Sequence, residues 1–113
     1  MDRPNILVIC GKNKRRSRTA EFIFKNDDRF NIRSAGLSPK SDRRLTENDL
    51  IWADLILVME TEHRSRLKQT YAATTNALVE VLHVPDEYEF MDEELIEILQ
   101  TKIDDLFHRY FKS

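Results

Sequence analysis

Apolar and polar positions along the chain fall into two alternating kinds of segment. Ile6-Leu7-Val8-Ile9, within a candidate strand from Asn5 to Ile9, and Leu55-Ile56-Leu57-Val58-Met59 are continuous apolar runs, the first bounded by Pro4 and Gly11 and the second by charge. Runs of that length without polar alternation belong to strands covered on both faces. Leu78-Val79-Glu80-Val81-Leu82 is a further strand candidate, and Phe30 to Arg33 is a shorter, weaker one that ends at Ser34-Ala35-Gly36. Stretches with helical spacing lie between them. One follows Ser17 to about Asn26, with Ala20, Phe22, Ile23 and Phe24 as its apolar contacts. A second opens at Thr46, where Asp49 three positions on has the form of a capping box, and carries Leu50, Ile51 and Trp52. A polar helix from about Thr61 to Tyr71 leads through Thr74-Thr75-Asn76. From Met91 or Asp92 onward, Leu95, Ile96, Leu99, Ile103, Leu106, Phe107 and Tyr110 recur at three- and four-residue intervals, which is the stripe of an amphipathic helix.

Strands that alternate with helices in this way imply an α/β layer architecture with a mostly parallel sheet. Right-handed crossovers then put the loop after the first strand at the sheet's carboxyl edge, where ligands collect at the point of reversed strand order. The 113 residues make one domain, 1–113, with no repeat, low-complexity tract or linker.

Composition narrows the classes of function. No stretch approaches the roughly 20 apolar residues of a membrane span, and Met1-Asp2-Arg3-Pro4 lacks signal-peptide form, so the expectation is a soluble, cytoplasmic protein without membrane contact. The single cysteine excludes an intramolecular disulfide and a Cys-rich zinc site. His63, His83 and His108 are scattered, so no metal and no cofactor is expected. A formal net charge of -2 argues against general nucleic-acid affinity. The charges are nonetheless segregated: Lys12, Lys14, Arg15, Arg16 and Arg18 crowd one segment, and Asp86, Glu87, Glu89, Asp92, Glu93, Glu94 and Glu97 crowd another. An anion site explains the basic segment better than a merely solvated face does.

The chemistry concentrates where the first strand ends. Cys10 follows the apolar run directly, Arg16 comes six positions later, and Ser17 begins a helix-like segment. A helix start offers unpaired backbone N–H groups and the positive end of a dipole, which together form a phosphate site. A thiol held there beside cations is a better nucleophile than a free one. Arg16 brings a planar fork that matches two phosphoryl oxygens. Ser17 can cap the helix and donate its hydroxyl to the sulfur. Phosphoryl transfer asks mainly for positioning and charge neutralisation, which such a loop supplies. Taken alone, each element also has a plain reading: Cys10 as packing and Asp86 as a turn acid after Pro85.

Taken together, Cys10-Gly11-Lys12-Asn13-Lys14-Arg15-Arg16-Ser17, then Ser34-Ala35-Gly36, then Pro85-Asp86-Glu87-Tyr88 resemble the low-molecular-weight protein tyrosine phosphatases in a compact, divergent form. The resemblance implies a three-layer α/β/α fold whose four-stranded parallel sheet has the order 2-1-3-4. It implies Cys10 as the nucleophile that forms a phosphocysteine, Arg16 as the phosphate grip and Asp86 as the general acid. Gly11, Lys12, Asn13, Lys14, Arg15 and Ser17 would build and support the phosphate loop, with Asn13 holding its shape and Ser17 stabilising the thiolate. Tyr88 would wall the phenyl ring of a phosphorylated protein or a small aryl phosphate. Lys12 stands where the family has glycine, Arg15 where it often has a second cysteine, and Glu87 where proline follows the aspartate. Without that second cysteine no vicinal disulfide shields Cys10 from peroxide.

Arsenate reduction on the same fold would need relay cysteines that the chain lacks. The alternative from another class is a non-catalytic phosphate- or nucleic-acid-binding module that uses the basic loop 12–18, with steeply salt-dependent affinity if the ligand is nucleic acid.

Overall fold

A computed structural model describes residues 3–12, 14–71 and 77–111. Along the chain run β1 (Asn5–Cys10), α1 (Arg16–Phe24), β2 (Asn31–Gly36), α2 (Glu47–Trp52), β3 (Leu55–Val58), α3 (Thr61–Tyr71), β4 (Leu78–Val81) and α4 (Glu93–Phe111). The strands form a four-stranded sheet of order β2-β1-β3-β4, with every pairing parallel. This is the α/β fold that the alternation of elements predicts, with the strand order that the resemblance implies. The stretch Thr74-Thr75-Asn76 lies outside the described residues.

The pleat explains the layers. Ile6, Val8 and Cys10 of β1, with Leu55 and Leu57 of β3, point into a core shared with Ala20 and Phe24 of α1 and Leu95, Leu99 and Ile103 of α4. Leu7, Ile9, Ile56 and Val58 point the other way, onto Leu50 of α2 and Leu67 of α3. A strand covered on both faces has no polar position to spare, and that is why β1 and β3 read as unbroken apolar runs. Full burial of such a side chain stabilises the fold by about 1.5–3 kcal/mol.

Strand β2 differs from its expected extent. It runs to Gly36 rather than stopping at Arg33, and pairs residue for residue from Asn5↔Asn31 to Cys10↔Gly36. Ser34 and Ala35 have low strand propensity but are fully buried, so pairing with the central strand decides their conformation. Phe30 lies just before the strand and packs with Phe24 and Phe107 at ring-centroid distances of 5.3 and 5.4 Å.

Helix boundaries follow their caps. The Thr46 hydroxyl accepts from the Asp49 amide and the Asp49 carboxylate accepts from the Thr46 amide, the reciprocal box that the sequence suggests. Asp49 also receives Arg43 at 2.7 Å and Arg33 at 3.5 Å. Asp92 takes the amides of Glu94 and Leu95 at the start of α4, directly after Met91, whose φ of 63° is left-handed. Among the described residues, no helix is long and apolar enough to cross a membrane.

Candidate active site

Strands β1 and β3 are neighbours, and the helices that follow them lie on opposite faces of the sheet. A crevice therefore opens at their carboxyl ends. A pocket of about 400 Å³ occupies it. Cys10, Gly11, Lys12, Lys14, Arg15 and Arg16 line it from the loop after β1, Glu60 and His63 from the turn into α3, and Asp86 from beyond β4. The structure thus brings together residues that the sequence separates by up to 76 positions. Cys10 is only 3 % exposed, yet it lies on the pocket wall rather than being sealed within the core.

The sulfur has a specific neighbour. Ser17 Oγ lies 2.9 Å from Cys10 Sγ, and Ser17 is fully buried. Ser17 was expected to double as a helix cap, and here the structure corrects the sequence. The N-cap position is Arg15, without a side-chain cap bond, and Ser17 sits inside the first turn of α1. A hydroxyl placed there can turn back onto the strand end, within hydrogen-bonding distance of the sulfur.

Arg16 is 5 % exposed, and its charge is matched. Its Nη1 donates to Glu60 Oε2 at 2.6 Å and to the Val84 carbonyl at 2.7 Å, while Nε stands 3.8 Å from Asp86 Oδ1. A buried guanidinium is tolerated only when its donors are satisfied in this way. The Arg16 hydrogen bond holds the Glu60 carboxyl below its ordinary range, so Glu60 stays ionised. The same guanidinium ties α1 to the segment after β4. That segment passes through His83 in a left-handed conformation, φ 57°, before it reaches Asp86.

His63 completes the wall. It is 5 % exposed, and its Nε2 lies 3.8 Å from Glu60 Oε2 and would lie 3.8 Å from a Cβ placed on Gly11. Its Nδ1 is buried without a hydrogen-bond partner among the described residues. Burial first, and the Arg16 charge second, push its pKa down, so the ring is neutral beside the loop.

The segment between β2 and α2 fastens the loop from outside. Leu37 N donates to Cys10 O, Ser38 N to Gly11 O at 2.8 Å, and Asp42 N to Lys12 O at 3.2 Å. The Ser41 hydroxyl adds a bond to Gly11 O at 3.3 Å. These loop carbonyls are therefore satisfied on the side away from the pocket.

Asn13 lies outside the described residues. Tyr88 is half-buried against the α1/α4 core and is not among the residues that line the pocket. Glu60 and His63 were not singled out from the sequence. Their signal was positional: both follow β3 and so reach the same sheet edge as Cys10.

No family model matches the chain. A curated low molecular weight protein-tyrosine-phosphatase of Acinetobacter johnsonii is 29 % identical over 134 aligned positions, covering 89 % of this chain and 94 % of that protein. Because the chain has 113 residues, the relative carries stretches that this chain lacks. The low molecular weight protein tyrosine phosphatase SP-PTP from Streptococcus pyogenes superposes with a TM-score of 0.79 at 20 % identity, over 96 % of this chain and 93 % of that one. The tyrosine phosphatase Wzb from Escherichia coli K30, solved in complex with phosphate, gives 0.71 at 20 % identity, over 94 % and 97 %.

Proposed function

We propose that the chain is a low-molecular-weight protein tyrosine phosphatase that hydrolyses phosphate monoesters, phosphotyrosine in proteins foremost, through a phosphocysteine, a reading supported by its likeness to the Acinetobacter johnsonii phosphatase and by the shared fold. The observation that carries this reading is the convergence, in one pocket, of Cys10 with a hydroxyl 2.9 Å from its sulfur, a buried Arg16 and Asp86.

Each group has a step. The Cys10 thiolate attacks phosphorus as the bond to the ester oxygen breaks, and protonated Asp86 gives its proton to the departing phenolate. Arg16 and the loop amides neutralise charge on the phosphoryl oxygens through this step. Water then attacks the phosphocysteine, Asp86 takes up its proton, and the S–P bond breaks to return the thiolate, which the Ser17 hydroxyl stabilises as a leaving group. Phosphate departs and no other reactant is consumed. With Nη1 already committed to Glu60 and Val84, the remaining donors of Arg16 are the ones left for substrate.

Vanadate-sensitive turnover of an aryl phosphate, together with a labelled phosphocysteine trapped by acid quench, tests the proposal. Absence of turnover from acidic to neutral pH, or full rate in Cys10→Ser, overturns it. The nucleic-acid alternative has less support, because the cations of loop 12–18 line a pocket that also holds Glu60 and Asp86, and Arg18 lies 4.0 Å from Asp42.

A further inference from the structure

Lys12, Lys14 and Arg15 are exposed, line the pocket and have no acidic partner among the described residues. Four arginines outside the loop are matched among the described residues: Arg29 with Asp27 and Asp104, Arg33 and Arg43 with Asp49, Arg109 with Asp105. No Phe, Tyr or Trp is among the described residues that line the pocket. A phosphotyrosine ring would find little apolar wall to bury against, and selectivity falls to charge at the rim.

Resting on the phosphatase reading above, we propose that the Lys12, Lys14 and Arg15 side chains form a second anion subsite, outside the phosphate cradle, that selects phosphopeptides with acidic residues beside the phosphorylated one. All three line the pocket with Cys10, yet they are exposed where Arg16 is buried, which leaves their charge open to solvent and to residues flanking the phosphorylated one. Their exposure at an open mouth fits a peptide laid across the surface. Three cations in a chain of net charge -2, facing a wall that contributes Asp86 and Glu60, form a local patch and not the extended stripe that nucleic acid requires.

The test uses phosphotyrosyl peptides of one length with acidic, neutral or basic flanks, and their non-hydrolysable difluorophosphonate analogues. The acidic analogue should bind about tenfold more tightly than the basic one at low salt, and kcat/KM should follow the same order. That ratio should shrink as the screening length falls to about 8 Å at 0.15 M salt and about 3 Å at 1 M. In Lys14→Glu and Arg15→Glu the ratio should fall toward one or invert; being a ratio, it cancels any loss in the shared phosphate grip. Lys102→Glu on α4 makes the same change in net charge away from the pocket and should leave the ratio intact. Equal affinity for all three flanks overturns the subsite, as does an equal loss in Lys102→Glu, which would assign the effect to overall charge. A single-stranded oligonucleotide that displaces the acidic analogue at lower concentration than the peptide itself also overturns it. Intact affinity ratios without turnover would sink catalysis alone, and turnover without a flank preference would sink the subsite alone.

Discussion

The Arg16 guanidinium and the Glu60 carboxylate meet at 2.6 Å, one end 6 % exposed and the other 43 %. The pair joins the helix after β1 to the turn after β3 across the mouth of the crevice. Its geometry orients the arginine, because a guanidinium anchored at Nη1 presents its remaining edge in a fixed plane.

Glu60→Gln retains the shape and removes the charge. Hydrogen bonds to charged groups contribute roughly 1.5–3 kcal/mol, so kcat/KM for an aryl phosphate should fall by about ten- to a hundredfold. Stability should change by less than about 1 kcal/mol, since Glu60 is open to solvent screening. Retention of kcat/KM within about twofold would show that Arg16 needs no such anchor.

Ser17→Ala separates two roles for one hydroxyl. Because that hydroxyl lies 2.9 Å from the sulfur, kcat should fall by about ten- to a hundredfold with little change in KM, while the cost in stability should be about 1 kcal/mol, that of a typical hydrogen bond. Rapid-mixing kinetics would show the loss as a slower reaction step at sulfur. A large fall in melting temperature with unchanged kcat would contradict the assignment.

His63 gives the protein an acid sensitivity of known sign. Its pKa in the folded state is pushed below the usual 6.5 by burial and by Arg16. As pH falls through 6.5 the unfolded chain takes up a proton that the folded one refuses, so this contribution to stability is complete above 6.5 and is lost below it. Urea unfolding of the wild type should weaken from about pH 6.5 downward, and His63→Gln should remove that slope. Below about pH 4 the carboxylates take over. Asp27 is held low by the Arg29 hydrogen bond; Asp49 is held low although burial opposes its charge, because Arg43 and the Thr46 amide outweigh burial. An identical slope in His63→Gln between pH 7.5 and 5 would refute the assignment.

Asp49→Asn addresses the fold and not the chemistry. Asp49 is 2 % exposed, closes the capping box of α2 and meets Arg33 and Arg43. Its loss leaves two half-exposed arginines unmatched and should cost about 2–3 kcal/mol, less than the roughly 3–5 kcal/mol of a fully buried pair because solvent screens both arginines. Chemical denaturation should record that loss while KM for an aryl phosphate stays within about twofold. A neutral effect on stability would mean that solvent already serves both arginines.

The architecture was legible because β1 and β3 are covered on both sides and cannot hide a polar residue, and because the stripe of α4 from Leu95 to Tyr110 has one buried face. Cys10, Arg16 and Asp86 could be read from their order along the chain, which the resemblance made meaningful. Other features were not legible for physical reasons. The tail of β2 consists of small residues whose conformation is set by the neighbouring strand. Whether Ser17 bonds to an amide or to sulfur depends on where the strand end lies, which spacing does not encode. Glu60 and His63 carry no motif of their own, and they become part of the site only when β3 is placed beside β1. Tyr88 follows Asp86 closely along the chain, and its partial packing against the α1/α4 core depends on where α4 lies.

The bonds from Ser38 and Asp42 to the carbonyls of Gly11 and Lys12 are main chain to main chain, and they are indifferent to which side chains residues 38 and 42 carry. Exchange at positions 38 and 42 therefore leaves those two main-chain fastenings in place, whereas Ser41 and Arg43 of the same strap hold on through their side chains. Variation introduced at 38 and 42 should reshape the outer surface while the loop beneath keeps its path.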